Sequence, residues 1–151
     1  LDKLVIKGQK LLDQDNLMEA KRAFREAMEL YVDETGLFPL IAEKLINKGH
    51  FKDALEYIKV GIKKNPDNAR LYDHLQTVAA KTKDFAKADA LLLDCLLATG
   101  QNALLLKTRG YMMVQQGQYK DAIETIQNAL SIDPNVPDAK RILALAVKKA
   151  G

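Results

Sequence analysis

The sequence contains few of the residues from which catalytic and metal sites are built. Its 151 residues include one cysteine, two histidines and no tryptophan. A single cysteine, Cys95, allows no disulfide within the chain. His50 and His74 are too far apart in the sequence to suggest a pair of metal ligands. We therefore predict neither a disulfide framework nor a bound metal.

Motifs of enzymatic chemistry are missing as well. The sequence has no Gly-rich phosphate loop and no nucleophile elbow. Its carboxylates are interspersed with Lys and Arg at the i, i+4 spacing that is typical of solvated helix faces. We predict that the chain is not an enzyme and that it needs no cofactor.

The charge is nearly balanced, and long apolar runs are absent. The sequence has 23 Lys and Arg against 20 Asp and Glu, which gives a net charge of +3. That excess is too small to indicate a nucleic-acid-binding domain. A membrane-spanning helix needs about 20 consecutive apolar residues, and no run of the sequence approaches that length. We therefore expect neither nucleic acid nor a membrane as a partner, and a cytoplasmic location by default.

A 34-residue period runs through the whole chain without an insertion. Successive units begin at residues 1, 35, 69 and 103, and a partial unit begins at residue 137. A small residue often holds the eighth place of a unit, alanine always holds the twentieth, and a large apolar residue follows four places later. In order of units, these places hold Gly8, Ala42, Gln76 and Gly110; Ala20, Ala54, Ala88 and Ala122; and Phe24, Ile58, Leu92 and Ile126.

This alternation of small and large residues predicts a pair of closely packed helices in each unit. Small residues let two helix backbones approach, and large ones fill the space between them. An apolar content of 48% and only four prolines suit an all-helical chain. The helical segments that we predict are 1–13, 17–31, 51–64, 69–81, 85–99, 103–116, 119–132 and 137–150.

The period, the helix–turn–helix unit and the alanine spacing resemble the tetratricopeptide repeat, and the resemblance covers the whole chain. The chain departs from the family pattern at the fourth place, where the usual Trp is replaced by Leu4, Phe38, Tyr72 and Leu106. The resemblance implies an all-α, right-handed α-solenoid of four repeats, 1–34, 35–68, 69–102 and 103–136, with a C-terminal capping helix at 137–150. We expect residues 1–151 to form a single domain, and we interpret the chain as a fragment of a longer protein because it starts without an initiator Met.

In the tetratricopeptide family, the first helix of each unit lines a concave groove that binds a peptide. The resemblance therefore implies a non-enzymatic scaffold that binds a protein or peptide segment. The implied groove residues change from slightly acidic in the first half of the chain to basic in the second half, which suggests an acidic partner. The candidates in the second half are Arg70, Lys81, Lys107, Tyr111, Val114, Gln115, Arg141 and Lys148. Tyr111 is the expected anchor, because aromatic residues contribute strongly to binding energy at interfaces.

The third unit carries a second apolar stripe, formed by Ala86, Ala90, Leu93 and Leu97. The equivalent places are charged or polar in the second and fourth units, which hold Lys52, Glu56, Lys59 and Lys63, and Lys120, Glu124, Gln127 and Ser131. A helix that is apolar all round is usually buried against something. The alternative hypothesis is therefore a structural module that self-associates as a homodimer, or docks another domain of the same chain, through this stripe.

RNA binding by a helical repeat is a third and less favoured hypothesis. Pentatricopeptide arrays, which bind RNA, have units of similar length, but the unbroken period of 34 favours the tetratricopeptide interpretation. Binding of single strands needs a basic groove and stacking aromatic residues. The chain has only five Tyr and four Phe, and most of them fall at places that we predict to be core.

Overall fold

The computed structural model describes residues 2–31, 33–34 and 36–151. Every regular element in these residues is an α-helix, as the sequence predicts. The helices are α1 (Asp2–Asp13), α2 (Leu17–Leu30), α3 (Leu37–Asn47), α4 (Phe51–Lys64), α5 (Ala69–Thr82), α6 (Phe85–Thr99), α7 (Ala103–Gln115), α8 (Tyr119–Ile132) and α9 (Ala139–Ala150). Leu1, Val32 and Thr35 lie outside the described residues, and so do the predicted starts of the first two units at Leu1 and Thr35.

The predicted helix ends lie within two residues of the observed ones. The largest difference is at the C-terminal helix, which was predicted from residue 137 and begins at Ala139. That prediction was wrong because Asp138 has a φ of 68°. A residue in the left-handed region cannot belong to a right-handed helix, so α9 starts only after it.

The four turns within the predicted units share one backbone geometry. The fifteenth place of each unit has positive φ: 59° at Asp15, 80° at Gly49, 56° at Lys83 and 78° at Gly117. In each turn the next amide donates to the carbonyl five residues back, as from Asn16 to Leu11 at 2.8 Å, His50 to Leu45 at 2.9 Å, Asp84 to Ala79 at 3.2 Å and Gln118 to Met113 at 2.9 Å. This hydrogen bond is the Schellman closure of a helix C-terminus, and it ends the first helix of each pair.

The chain forms two compact units, Leu1–Gly61 and Ile62–Gly151, with the boundary inside α4. In the first unit α1 packs on α2 and also contacts α3. Phe24 of α2 is fully buried, and a Cβ atom built on Gly8 of α1 would lie only 2.7 Å from its Cδ1 atom. An ion pair of 2.7 Å joins Lys21 of α2 to Asp53 of α4.

The second unit is built in two layers. Each helix from α5 to α9 packs on the next, and α7 also contacts both α5 and α9. The first helices of successive predicted repeats, α5, α7 and α9, therefore lie side by side, and α6 and α8 pack behind them. The core at the C-terminal end includes Leu106, Ala122, Ile126, Ala129 and Ile142, each at most 4% exposed. The solenoid's hand and the count of four repeats stay predictions from the sequence.

Candidate functional site

All eight predicted groove residues lie on the layer formed by α5, α7 and α9, which we call the first-helix face. Arg70 and Lys81 belong to α5, Lys107, Tyr111, Val114 and Gln115 to α7, and Arg141 and Lys148 to α9. Five of the eight are exposed, namely Arg70, Lys81, Gln115, Arg141 and Lys148, and Tyr111 is half-buried. The sequence predicts a binding surface here, and the structure places its residues on neighbouring helices of one unit.

Lys107 and Val114 are far less exposed than the other six. Each has only 6% of its surface accessible. Val114 belongs to the apolar core at the C-terminal end, so its side chain has little area to offer a partner. The burial of Lys107 has a parallel in the first unit, where Val5 holds the same place of the repeat and is 4% exposed. The fifth place is buried in the first, second and fourth predicted repeats, at Val5, Pro39 and Lys107, but it is exposed at Asp73 of the third.

The ammonium group of Lys107 lies in an unusual electrostatic environment. Burial lowers the pKa of this lysine below its ordinary value of 10.5, and Arg141 lowers it further. Asp73 of α5 and Asp138, the residue before α9, oppose that shift by attraction. Within the described part of the chain, however, its Nζ atom forms no hydrogen bond or ion pair. Sequence reasoning selected Lys107 as a groove residue but missed the burial of its side chain. The Nζ atom still reaches solvent, so the methylene stem is buried and the ammonium is only partly desolvated.

Arg141 is held by its neighbour at the start of α9. Its Nε and Nη2 atoms donate to the two carboxylate oxygens of Asp138, at 3.1 and 2.9 Å. These hydrogen bonds hold the pKa of Asp138 below its usual value. Both side chains remain more than half exposed, at 64% and 54%, and exposed pairs of this kind contribute little stability. The guanidinium can therefore exchange Asp138 for an incoming anion at small cost. Both residues also line a shallow cleft of about 370 Å³.

Tyr111 is fixed by an aromatic contact. Its ring packs edge to face with the ring of Phe85 of α6, with ring centroids 6.4 Å apart and an interplanar angle of 71°. Tyr111 also packs against the core at the C-terminal end. Aromatic pairs in this geometry are favourable beyond the area that they bury. The tyrosine is thus held in place before any partner arrives.

The apolar stripe of α6 faces solvent. Leu97 is 81% exposed and Leu93 is 43% exposed, and Ala86 and Ala90 are exposed as well. Three residues on the opposite side of the same helix, Ala88, Leu92 and Cys95, are at most 2% exposed. The helix therefore has a core face and a separate apolar face toward solvent.

The described residues form neither a metal-binding cluster nor a membrane-spanning helix. No group of three or more His, Cys, Asp or Glu side chains in this part of the chain could hold a metal ion. None of its helices combines the length and the apolar character that crossing a membrane requires.

Comparisons with known proteins identify the repeat. Residues 103–136 match the family model described as tetratricopeptide repeat, which is the fourth unit predicted from the sequence. No curated protein sequence matches the chain significantly.

Several solved structures share the fold. One crystal structure of MamA has a TM-score of 0.58 at 19% identity, over 95% of this chain and 84% of MamA. YrrB, described as a TPR protein with an unusual peptide-binding site, has a TM-score of 0.55 at 20% identity, over 85% of this chain and 66% of YrrB. A tetratricopeptide repeat protein from Parabacteroides merdae has a TM-score of 0.60 at 17% identity, over 99% of this chain and 60% of its own. The chain thus contains a tetratricopeptide repeat at residues 103–136 and has the all-helical fold of tetratricopeptide repeat proteins.

Proposed function

We propose that the chain is a non-enzymatic interaction module, and that its first-helix face binds a protein segment through an acidic group. Helical repeats of the tetratricopeptide type generally serve as scaffolds for protein interactions. The finer assignment, to an acidic group on the face of α5, α7 and α9, is supported chiefly by the state of Lys107.

A partly desolvated ammonium without an ion pair is costly. Removing a charge from water is repaid only by a close counter-charge and by hydrogen bonds. Asp73 and Asp138 attract Lys107, but within the described residues neither carboxylate forms an ion pair with it. A carboxylate from a partner would supply the missing hydrogen-bond acceptor in a partly dehydrated setting, where charge-assisted hydrogen bonds are strongest.

Two neighbours of Lys107 suit the same ligand. Arg141 carries a second positive charge, and its exposed pair with Asp138 is easily exchanged. Tyr111, on the same helix as Lys107, offers an aromatic ring that Phe85 already holds in position. Anchors that are fixed in advance lose little conformational entropy on binding. The peptide-binding site named in the description of YrrB is a property of that protein, but it supports peptide recognition as a use of this fold.

A selection from a random peptide library tests the proposal. The immobilised wild-type chain should enrich peptides with Asp, Glu or a free C-terminal carboxylate at one fixed position. The selected peptides should then bind Lys107→Met at least about tenfold more weakly, because one charged contact is lost. Tyr111→Ala should weaken the same peptides through loss of the anchor.

Lys120→Met is the matched control, because Lys120 is an exposed lysine of α8 and lies outside the first-helix face. It removes the same charge and should leave peptide affinity unchanged. Equal affinity of wild type and Lys107→Met for the selected peptides would refute the site. Equal loss in both lysine variants would show that net charge alone attracts the peptides.

The exposed stripe on α6 favours a second candidate function, which is association through that helix. Two leucines and two alanines on one solvent-facing stripe are the observation behind it. It uses residues that the peptide-binding proposal does not involve.

A further inference from the structure

We propose that α6 pairs in antiparallel fashion with α6 of a second copy of this chain, about a two-fold axis between residues 91 and 92. This inference makes the second candidate function specific, and it does not depend on the peptide-binding face. It rests on the order of small and large residues along the stripe and on the charges beside it.

The stripe on α6 is complementary to itself only when it is reversed. Its N-terminal half presents the small residues Ala86 and Ala90, and its C-terminal half presents Leu93 and Leu97. Reversal about residues 91 and 92 sets Leu97 against the partner's Ala86, and Leu93 against the partner's Ala90. Large residues then fill the spaces above small ones, as close packing requires. A parallel pair would set leucine against leucine and leave a gap between the alanines.

The charges along one edge of the stripe agree with the same direction. Lys87 and Asp94 lie two helical turns apart, so they share one side of α6. Lys87 is exposed, and the side chain of Asp94 is 45% exposed where it meets Lys63 at 3.4 Å. In the antiparallel pair, Lys87 lies beside the partner's Asp94, and the two-fold axis repeats the contact. In a parallel pair, the two-fold axis would place Lys87 and Asp94 of the two copies on opposite sides of the interface, so the pairing of opposite charges would be lost.

We expect a second copy of the chain on this face, because the stripe matches its own reverse both in side-chain size and in charge. Two-fold interfaces use the same patch on both subunits, so the patch must match its own reverse, and this one does so in size and in charge. One helix face of about three turns buries less than the roughly 1,200 Å² that separates stable interfaces from transient ones. The dimer is therefore weak and depends on protein concentration.

Sedimentation equilibrium of the whole chain over a wide concentration range tests self-association. Wild type should pass from monomer to dimer as the concentration rises. Leu97→Lys should raise the dimer dissociation constant by about tenfold or more, since it places a charge against an apolar surface. Ile132→Lys is the matched control, because Ile132 is 47% exposed on α8; it should behave like wild type. A monomer at every concentration would overturn the proposal, as would equal dimerisation of wild type and Leu97→Lys.

A charge exchange tests the antiparallel direction. Lys87→Asp alone sets like charges beside the partner's Asp94, and Asp94→Lys alone sets like charges beside the partner's Lys87. Each variant should dimerise more weakly than wild type, and an equimolar mixture of the two should recover dimers because both edges then pair opposite charges. Circular dichroism establishes that the variants are folded. A mixture no more dimeric than its components would exclude the antiparallel pair.

Discussion

Gly110 of α7 lies directly against the side chain of Ile126 of α8, and no Cβ atom fits between them. A Cβ built on Gly110 would stand 2.9 Å from the Cδ1 atom of Ile126 and closer still to its Cγ1 atom. Ile126 is fully buried. The same places of the first predicted repeat hold Gly8 and Phe24, and they meet in the same way. A small residue on the first helix therefore sets how closely the second helix can pack.

Gly110→Ala should destabilise the chain. The new methyl group must displace Ile126 from a packed core, and overpacking of this kind costs about 1–3 kcal/mol. Alanine offsets about 0.5–1 kcal/mol of that cost, because glycine is unfavourable inside a helix. Urea denaturation followed by circular dichroism measures the loss in free energy of unfolding. Gly36→Ala is the control, because Gly36 has a φ of −68° and a Cβ there meets nothing within 4 Å; its effect should stay within about 0.5 kcal/mol. Equal stability of the two variants would mean that α7 and α8 are less closely packed than the structure describes.

Lys83→Gly should stabilise the chain. Lys83 has a φ of 56° at the end of α5, in the left-handed region that costs a residue with a side chain about 1–2 kcal/mol. Glycine occupies the equivalent turns at Gly49 and Gly117 without that cost. Part of the gain is offset by the greater freedom of glycine in the unfolded chain, so we expect a net gain of about 0.5–1 kcal/mol.

Lys81→Gly provides the comparison for the turn variant. Lys81 is exposed within the last turn of α5, where glycine has no conformational advantage and should cost about 1 kcal/mol. The two substitutions remove the same side chain two residues apart and should change the midpoint of urea unfolding in opposite directions. Destabilisation by both would show that the turn at Lys83 carries no strain that glycine can relieve.

Ala122→Leu tests the other side of the α7–α8 contact. Ala122 is fully buried, and its carbonyl oxygen would lie 3.6 Å from a Cβ on Gly110. Three extra carbon atoms should overpack this contact and cost about 1–3 kcal/mol. Ala144→Leu makes the same change at an exposed position of α9, and its effect should be within about 0.5 kcal/mol. A neutral Ala122→Leu in thermal unfolding would argue against close packing of the two helices.

The sequence predicts most of the fold because the contacts that define it recur at a fixed spacing. The pairing of Gly110 with Ile126 follows from comparing one place of the repeat with another, without knowledge of distant packing. Helix ends follow from turn residues such as Gly49 and Gly117. No glycine marks the positive φ at Asp138, so the sequence does not indicate that the helix must start after it. The start of α9 was therefore predicted two residues too early.

The candidate site is less predictable, since burial depends on contacts that no local pattern records. The repeat place of Lys107 assigns it to the first-helix face. Its burial depends on how α5, α7 and α9 pack around it. The repeat gives mixed signals at this place, which holds the apolar Val5 and Pro39 but also the charged Asp73. The stripe on α6 is the opposite case. Its exposure follows from a comparison with sibling repeats, because they hold charged or polar residues there.

Lys107→Met should stabilise the chain at neutral pH, by on the order of 1 kcal/mol, because it removes a partly desolvated charge and keeps a flexible apolar side chain of similar length. The gain should depend on pH. Folding lowers the pKa of Lys107 below 10.5. At a pH below the pKa of the folded state, this lysine is charged in both the folded and the unfolded chain, and the folded chain bears the whole desolvation penalty. As the pH rises from the folded pKa toward 10.5, the native state binds fewer protons than the unfolded state, and wild type gains stability.

The difference in free energy of unfolding between Lys107→Met and wild type should therefore shrink toward alkaline pH. Measuring this difference cancels the titration of the other lysines, which both proteins share. Lys120→Met is the control, because Lys120 is exposed and its substitution should give a small difference at every pH. A Lys107→Met chain less stable than wild type at neutral pH would mean that attraction by Asp73 and Asp138 outweighs desolvation. In that case Lys107 would already be satisfied within the chain, and its ammonium would not require an acidic ligand.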